Sequence, residues 1–175
     1  MITEDDLCAI MPLLKRDRAE SYIGLLNSAM QEFEIITPER EAAFLAQLAH
    51  ESGQLRYWEE LASGEDYEGR VDLGNTEPGD GVRYKGRGPI QITGRSNYRA
   101  MGDALGVDFE DNPTLAALPE YGFRTAGWFW QTRGLNGLAD VDNFKLITKR
   151  INGGYNGMTD RLGYWQRAKN VLGIA

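Results

Sequence analysis

The chain has 175 residues, 42% of them hydrophobic, which is enough for one domain with a real core and excludes a disordered chain. A net charge of −7 argues against non-specific nucleic-acid binding, and a single Cys8 with a single His50 leaves no internal disulfide and no Cys- or His-based zinc cluster. No apolar run approaches the ~20 residues of a membrane span, and the start Met1-Ile2-Thr3-Glu4-Asp5-Asp6 is acidic where a signal peptide is basic and then apolar. The expectation is a single domain over 1–175, made in the cytoplasm, with no stable membrane insertion.

The first helix is predicted to start at Thr3, with Glu4, Asp5 and Asp6 in the first turn, where negative charge suits the helix dipole. A second spans 18–33, with Tyr22, Leu25, Leu26, Ala29, Met30 and Phe33 at helical spacing. Thr37-Pro38-Glu39 is a cap followed by a first-turn proline, so a third helix runs from there to Glu51 and stops at Gly53. The stretch 63–88 is rich in glycine and acidic residues and reads as a long loop region. A short β-hairpin is predicted over 83–93, with Ile90 and Ile92 on one face. Helices resume over 96–105, 119–133, 141–152 and 159–172, with Gly134 and Gly153 as stops. The fold class is therefore mainly α, with one glycine-rich insertion dividing the helices into two lobes.

Carboxylates carry the chemistry that this sequence can offer. Glu51 ends an apolar helix, facing the negative end of the macrodipole, a setting that favours the protonated, proton-donating form. Glu59, Glu60, Glu65, Asp66 and Glu68 follow at short range. One carboxyl kept as acid and a second kept ionised is the arrangement that glycosidic cleavage needs. Any pairing with Glu51 requires the chain to turn after Gly53; Glu60, Glu59 and Glu68 are the candidates, while Glu65 and Asp66 read as solvated loop charge. His50 reads as a hydrogen-bonded structural residue, with no second histidine to complete a metal site.

In Tyr84-Lys85-Gly86-Arg87-Gly88-Pro89-Ile90-Gln91-Ile92-Thr93-Gly94, the glycines permit close backbone approach, and Gln91 and Thr93 suit sugar hydroxyls or a water. The Walker ending is absent, and a purely structural hairpin remains an open reading. Trp58, Tyr57 and Tyr67 are candidates for stacking on sugar rings, whereas Trp128, Phe129 and Trp130 read mostly as core. The basic run Arg83, Lys85, Arg87, Arg95 and Arg99 is a possible contact for an anionic partner, or a solvated face.

At Ala49-His50-Glu51-Ser52-Gly53, at the 84–94 stretch continued by Arg95-Ser96-Asn97-Tyr98, and at Ile151-Asn152-Gly153-Gly154, the chain resembles glycoside hydrolase family 19, in its phage endolysin and bacterial chitinase-like branch. The resemblance runs from about Thr37 to the C-terminus. It implies a lysozyme-like, two-lobed helical fold with a cleft, and inverting hydrolysis of β-1,4 links in an N-acetylhexosamine polymer without cofactor or metal. It carries the general acid onto Glu51, the second catalytic glutamate onto Glu60, and a water-holding role onto Thr93. It carries sugar contacts onto Gln91, Asn97, Tyr98, Asn152 and, more loosely, Arg161. The stretch after Glu60 is shorter than the corresponding plant chitinase loop, so Glu68 and Glu59 stand as alternative bases; the plant disulfides are absent.

The resulting expectation is a monomeric endolysin acting on peptidoglycan strands, made in a bacterial host and reaching the wall through a pore formed by another protein. The rivals are a chitinase, a lytic transglycosylase and a non-catalytic glycan-binding module. Carboxyls roughly 6.5–9.5 Å apart would fit inversion, and about 5 Å retention.

Overall fold

The computed structural model describes residues 1–174, and these are mainly helical. Helix α1 (Glu4–Ile10) starts where Thr3 and Asp6 exchange hydrogen bonds, Asp6 N donating to Thr3 Oγ1 and Thr3 N to Asp6 Oδ2. Helix α2 (Arg16–Glu32) begins two residues before its apolar periodicity does. Helix α3 (Pro38–Glu51) is capped by Thr37, whose hydroxyl accepts from Arg40 N. It is the central element: every residue from Glu41 to Ala49 is buried.

After a loop-rich segment come α4 (Asp80–Arg83), α5 (Arg95–Leu105), α6 (Pro119–Thr132), α7 (Leu135–Asp140), α8 (Phe144–Asn152) and α9 (Met158–Val171). The main lobe packs α3 against α9, α2 against α6, and α1 against both α2 and α9. Phe44 of α3 meets the edge of Trp130, whose indole N–H donates to Asn136; Trp128 and Phe129 are half-buried. The second lobe is built from short 3₁₀ turns at Glu65–Tyr67 and Val71–Leu73 that pack against α4 and α5, and α5 joins it to α6. Among the described residues no helix is long and apolar enough to cross a membrane.

Two local expectations change. The predicted hairpin is only a single rung, Arg87 and Ile92 exchanging backbone hydrogen bonds at 3.2 and 3.0 Å, with a second isolated bridge from Arg87 to Glu59. Pro89 has no N–H to donate, and Gln91 sits at φ +58° with its N–H on Gly88 O, so the loop closes too tightly for a ladder. The helix expected over 141–152 begins at Phe144, where Asn143 Oδ1 accepts from Leu146 N. The turns before it form α7, which starts immediately after the left-handed Gly134.

Candidate functional site

Glu51 is the last residue of α3, and its surroundings depend on the turn that follows. Gly53, Gln54 and Leu55 all occupy left-handed backbone space, at φ +58°, +61° and +61°. Two of these are not glycine, and each such residue costs roughly 1–2 kcal/mol. Ser52 holds the reversal together: its hydroxyl donates to Leu48 O and accepts from Leu55 N. Leu55 is fully buried, and Gln54 is tied down at both ends of its amide, accepting from Leu13 N and donating to the Tyr164 hydroxyl. This is the reversal that a second carboxylate near Glu51 requires.

Beneath Glu51 lies Arg161 of α9, 1% exposed, with Nη2 2.6 Å from Glu51 Oε1. The N–H groups are not aimed along that oxygen, so Oε1 is a buried acceptor with no aligned hydrogen bond among the described residues. The guanidinium also donates to Gln47 Oε1 at 2.5 Å and to Asn156 O at 3.0 Å, and Gln47 in turn donates to Thr148 Oγ1. Arg161, expected at the sugar, is thus a buried support for Glu51 and lines no open surface.

Glu60 lies nine residues beyond Glu51, and each of its oxygens accepts one hydrogen bond. Oε1 takes the Tyr67 hydroxyl at 2.9 Å and Oε2 takes Gly86 N at 3.0 Å. Its backbone N–H donates to Gly86 O. Burial, then the Glu60 carboxylate receiving its proton, push the Tyr67 phenol up, so it stays a donor across neutral pH.

Gly86 marks the point where three groups converge. A methyl group there would lie 3.0 Å from Gln91 Oε1, 3.2 Å from Glu60 Oε2 and 3.3 Å from Thr93 Oγ1. Thr93 donates its hydroxyl proton to Gln91 O at 3.2 Å, which leaves its lone pairs as acceptors. Glu60, Gln91 and Thr93 are therefore brought together by one glycine that admits all three.

The alternative bases are occupied. Glu59 receives Lys85 Nζ at 2.9 Å and Arg87 Nε at 3.4 Å, and the Lys85 hydrogen bond, with the two positive charges, holds its carboxyl below the usual range despite the opposing cost of burial. Glu68 accepts from Gly79 N at 2.7 Å and Gly81 N at 2.8 Å, a brace for the backbone around α4.

The basic run is likewise consumed internally. Arg83 faces Asp111, Lys85 and Arg87 face Glu59, Arg95 pairs with Asp80 and Glu110, and Arg99 pairs with Glu110. It is not the open anion-binding face that sequence proximity pointed to.

Other predicted residues sit apart from the convergence point. Asn97 donates to Thr93 O at 2.8 Å and so braces the loop's backbone. Tyr98, expected to line the cleft, is fully buried, donating to Lys85 O and accepting from Arg87; burial pushes its phenol up to about 12. Asn152 is exposed, its Oδ1 accepting from Asn156 N. His50 Nδ1 lies 2.7 Å from Asp160 Oδ2, a structural pair. Trp58 turns inward among Tyr22 and Phe123, with its N–H on Leu55 O, rather than outward to a sugar. Sequence reasoning missed Gln47; its signal is the four-residue spacing to Glu51, which lets one guanidinium reach both.

Chemically, the site offers a proton donor or acceptor at Glu51, an oriented carboxylate at Glu60, and neutral acceptors able to steady a water. Among the described residues no group of three His, Cys, Asp or Glu side chains is arranged to hold a metal ion.

The chitinase class I family profile matches residues 30–139. A glycosyl hydrolase family 19 domain-containing protein of Haemophilus influenzae is 30% identical over 167 residues, covering 78% of this chain and 82% of that protein. Chitinase 8 of Oryza sativa is 34% identical over 161 residues, covering 75% of this chain; the chain spans only 60% of the rice protein. Among solved structures, chitinase C of Streptomyces griseus superposes with a TM-score of 0.79 at 26% identity, over 99% of this chain and 77% of that one.

Proposed function

We propose that this chain, which belongs to the chitinase class I family, glycoside hydrolase family 19, is an endolysin that hydrolyses β-1,4 bonds in peptidoglycan glycan strands. The observation that carries the hydrolytic reading is the convergence of Glu60, Gln91 and Thr93 at Gly86, beyond the left-handed turn that follows Glu51.

In this reading Glu51 gives its proton to the leaving glycosidic oxygen while a water attacks the opposite face of the sugar. Glu60 takes one proton of that water, and its other O–H donates to Thr93 Oγ1 or to Gln91 Oε1 as it moves. The C–O bond to the leaving sugar breaks as the new C–O bond forms, and the product carries the inverted anomeric configuration. The scheme calls on no cofactor. The protein works as a monomer, is made in the cytoplasm of a bacterial host, and depends on a separate pore-forming protein to reach the wall.

A chitinase is the second reading, favoured by the similarity to chitinase 8 and to chitinase C. Product release from purified peptidoglycan and from colloidal chitin at equal enzyme separates the two; release from chitin alone rejects the endolysin. Anhydro-sugar ends on the peptidoglycan products would instead identify a lytic transglycosylase.

A further inference from the structure

Beside the turn after Glu51 is a cavity of about 640 Å³, walled by the α1–α2 connection, the segment 53–57 and α9. Lys15, Arg18 and Arg56 line it together with Tyr57 and Tyr164, and among the described residues no carboxylate does. Among the described residues the three cations enter no ion pair, whereas their neighbour Arg16 is taken by Asp5 and Glu20. In a chain of net charge −7, whose basic run at 83–99 is spent on internal pairs, this concentration of free positive charge runs against the composition.

The cavity is also held in shape. Gln54 in its left-handed conformation links two of the walls, accepting from Leu13 N and donating to the Tyr164 hydroxyl. The Tyr57 ring packs against Gly53, and the Arg56 guanidinium carbon lies 5.1 Å from the Tyr57 ring centroid. Lys15 is the N-cap of the 17-residue α2 and makes no side-chain cap, so the positive end of that helix opens at the rim. Asp160, the acidic group acting on Tyr164, is itself engaged by His50.

Chitin is uncharged and offers three cations no anionic group to pair with. Peptidoglycan carries peptide stems bearing carboxylates at intervals along the strand. We propose that this cavity binds the stem carboxylates of peptidoglycan and thereby selects that polymer over neutral chitin. The inference rests on the peptidoglycan reading above and names the part of the substrate that the chain distinguishes.

The test is sedimentation of the full chain with purified sacculi in three forms: stripped of phosphate polymers, stripped and then amidated at their carboxylates, and unstripped. Wild type should bind the stripped sacculi about tenfold more tightly than the amidated ones, as three partly solvated charge pairs allow. The triple variant Lys15→Gln, Arg18→Gln, Arg56→Gln, with an unchanged melting midpoint, should bind both forms equally weakly. Indifference to amidation, wild-type affinity in the triple variant, or binding only to unstripped walls overturns the proposal, the last in favour of wall phosphates. Sugar release from the same sacculi is scored separately. Release with carboxylate-indifferent binding removes the cavity's role alone; carboxylate-dependent binding without release keeps the cavity and removes the hydrolase reading.

Discussion

Arg161 Nη2 lies 2.6 Å from Glu51 Oε1, and the same guanidinium donates to Gln47 one helical turn earlier. Gln47 and Glu51 are four residues apart on α3, so they present their side chains on one face, and α9 delivers a single buried cation to both. The proposed proton donor is thus positioned by the packing of α9 against α3.

Breaking that support should be costly. Removing one member of a buried ion pair costs about 3–5 kcal/mol, because the other is left without a partner. Arg161→Met is expected to lower the melting midpoint by roughly 10 °C. Glu51→Gln leaves the buried Arg161 without its anion and should lower the midpoint as well, while sugar release, assayed where the variant stays folded, falls by about 10²–10⁴-fold. Circular dichroism melts beside a sugar-release assay give both numbers.

Glu60→Gln should reduce kcat by about 10²–10⁴-fold with little change in stability. Glu68→Gln should do the reverse, keeping kcat but costing about 1 kcal/mol as one of its two backbone braces loses strength. Glu59→Gln should likewise retain kcat. Full loss of turnover in either of these, with Glu60→Gln active, would move the base.

Gly86→Ala offers a cleaner probe than any carboxylate. The atoms nearest its added methyl are the three convergent oxygens, at 3.0–3.3 Å, and the site is not one of the left-handed glycines. A small displacement of Glu60, Gln91 or Thr93 is expected to cost about 10²-fold in kcat, while the melting midpoint stays near wild type. Normal turnover in this variant would show that the convergence is not catalytic.

Acid stability follows from the paired carboxylates. The Arg99 hydrogen bond, then that of Arg95, outweigh burial and bring Glu110 from its ordinary 4.5 to about 2. Asp80 is held down chiefly by Arg95, and Glu32 by Arg124. A folded value below the unfolded one means stabilisation that is present above the unfolded value and lost as pH falls through the folded one. For Glu110 that window runs from 4.5 to about 2. Urea midpoints should therefore hold steady from about pH 7 to 5 and then fall, and Glu110→Gln should flatten the lower part of that fall.

The parts of the site legible in the sequence were those governed by neighbours in the chain. The Thr37 cap and Pro38 announced the start of α3, and Gly53 announced its end at Glu51. The reversal after it could be required but not read, because Gln54 and Leu55 are residues that ordinarily avoid left-handed space; burial of Leu55 and the two bonds of Gln54 override that preference. The cations of 83–99 looked free because their partners Glu59, Asp80, Glu110 and Asp111 are set by tertiary packing. Arg161 was misjudged for the same reason: its contacts with Gln47 and Glu51 span more than a hundred residues.

The three left-handed residues after Glu51 have an implication for how such a scaffold diversifies. Both proposed reacting carboxyls ride on one ten-residue piece of chain, 51–60, locked by its own turn and by the Gly86 loop. The connection at 61–80 is tied to that piece through the Tyr67 hydroxyl on Glu60, whereas 106–118 touches neither carboxyl. The latter can lengthen, shorten or change charge without resetting the spacing of acid and base, so substrate range can drift there while the reaction stays the same.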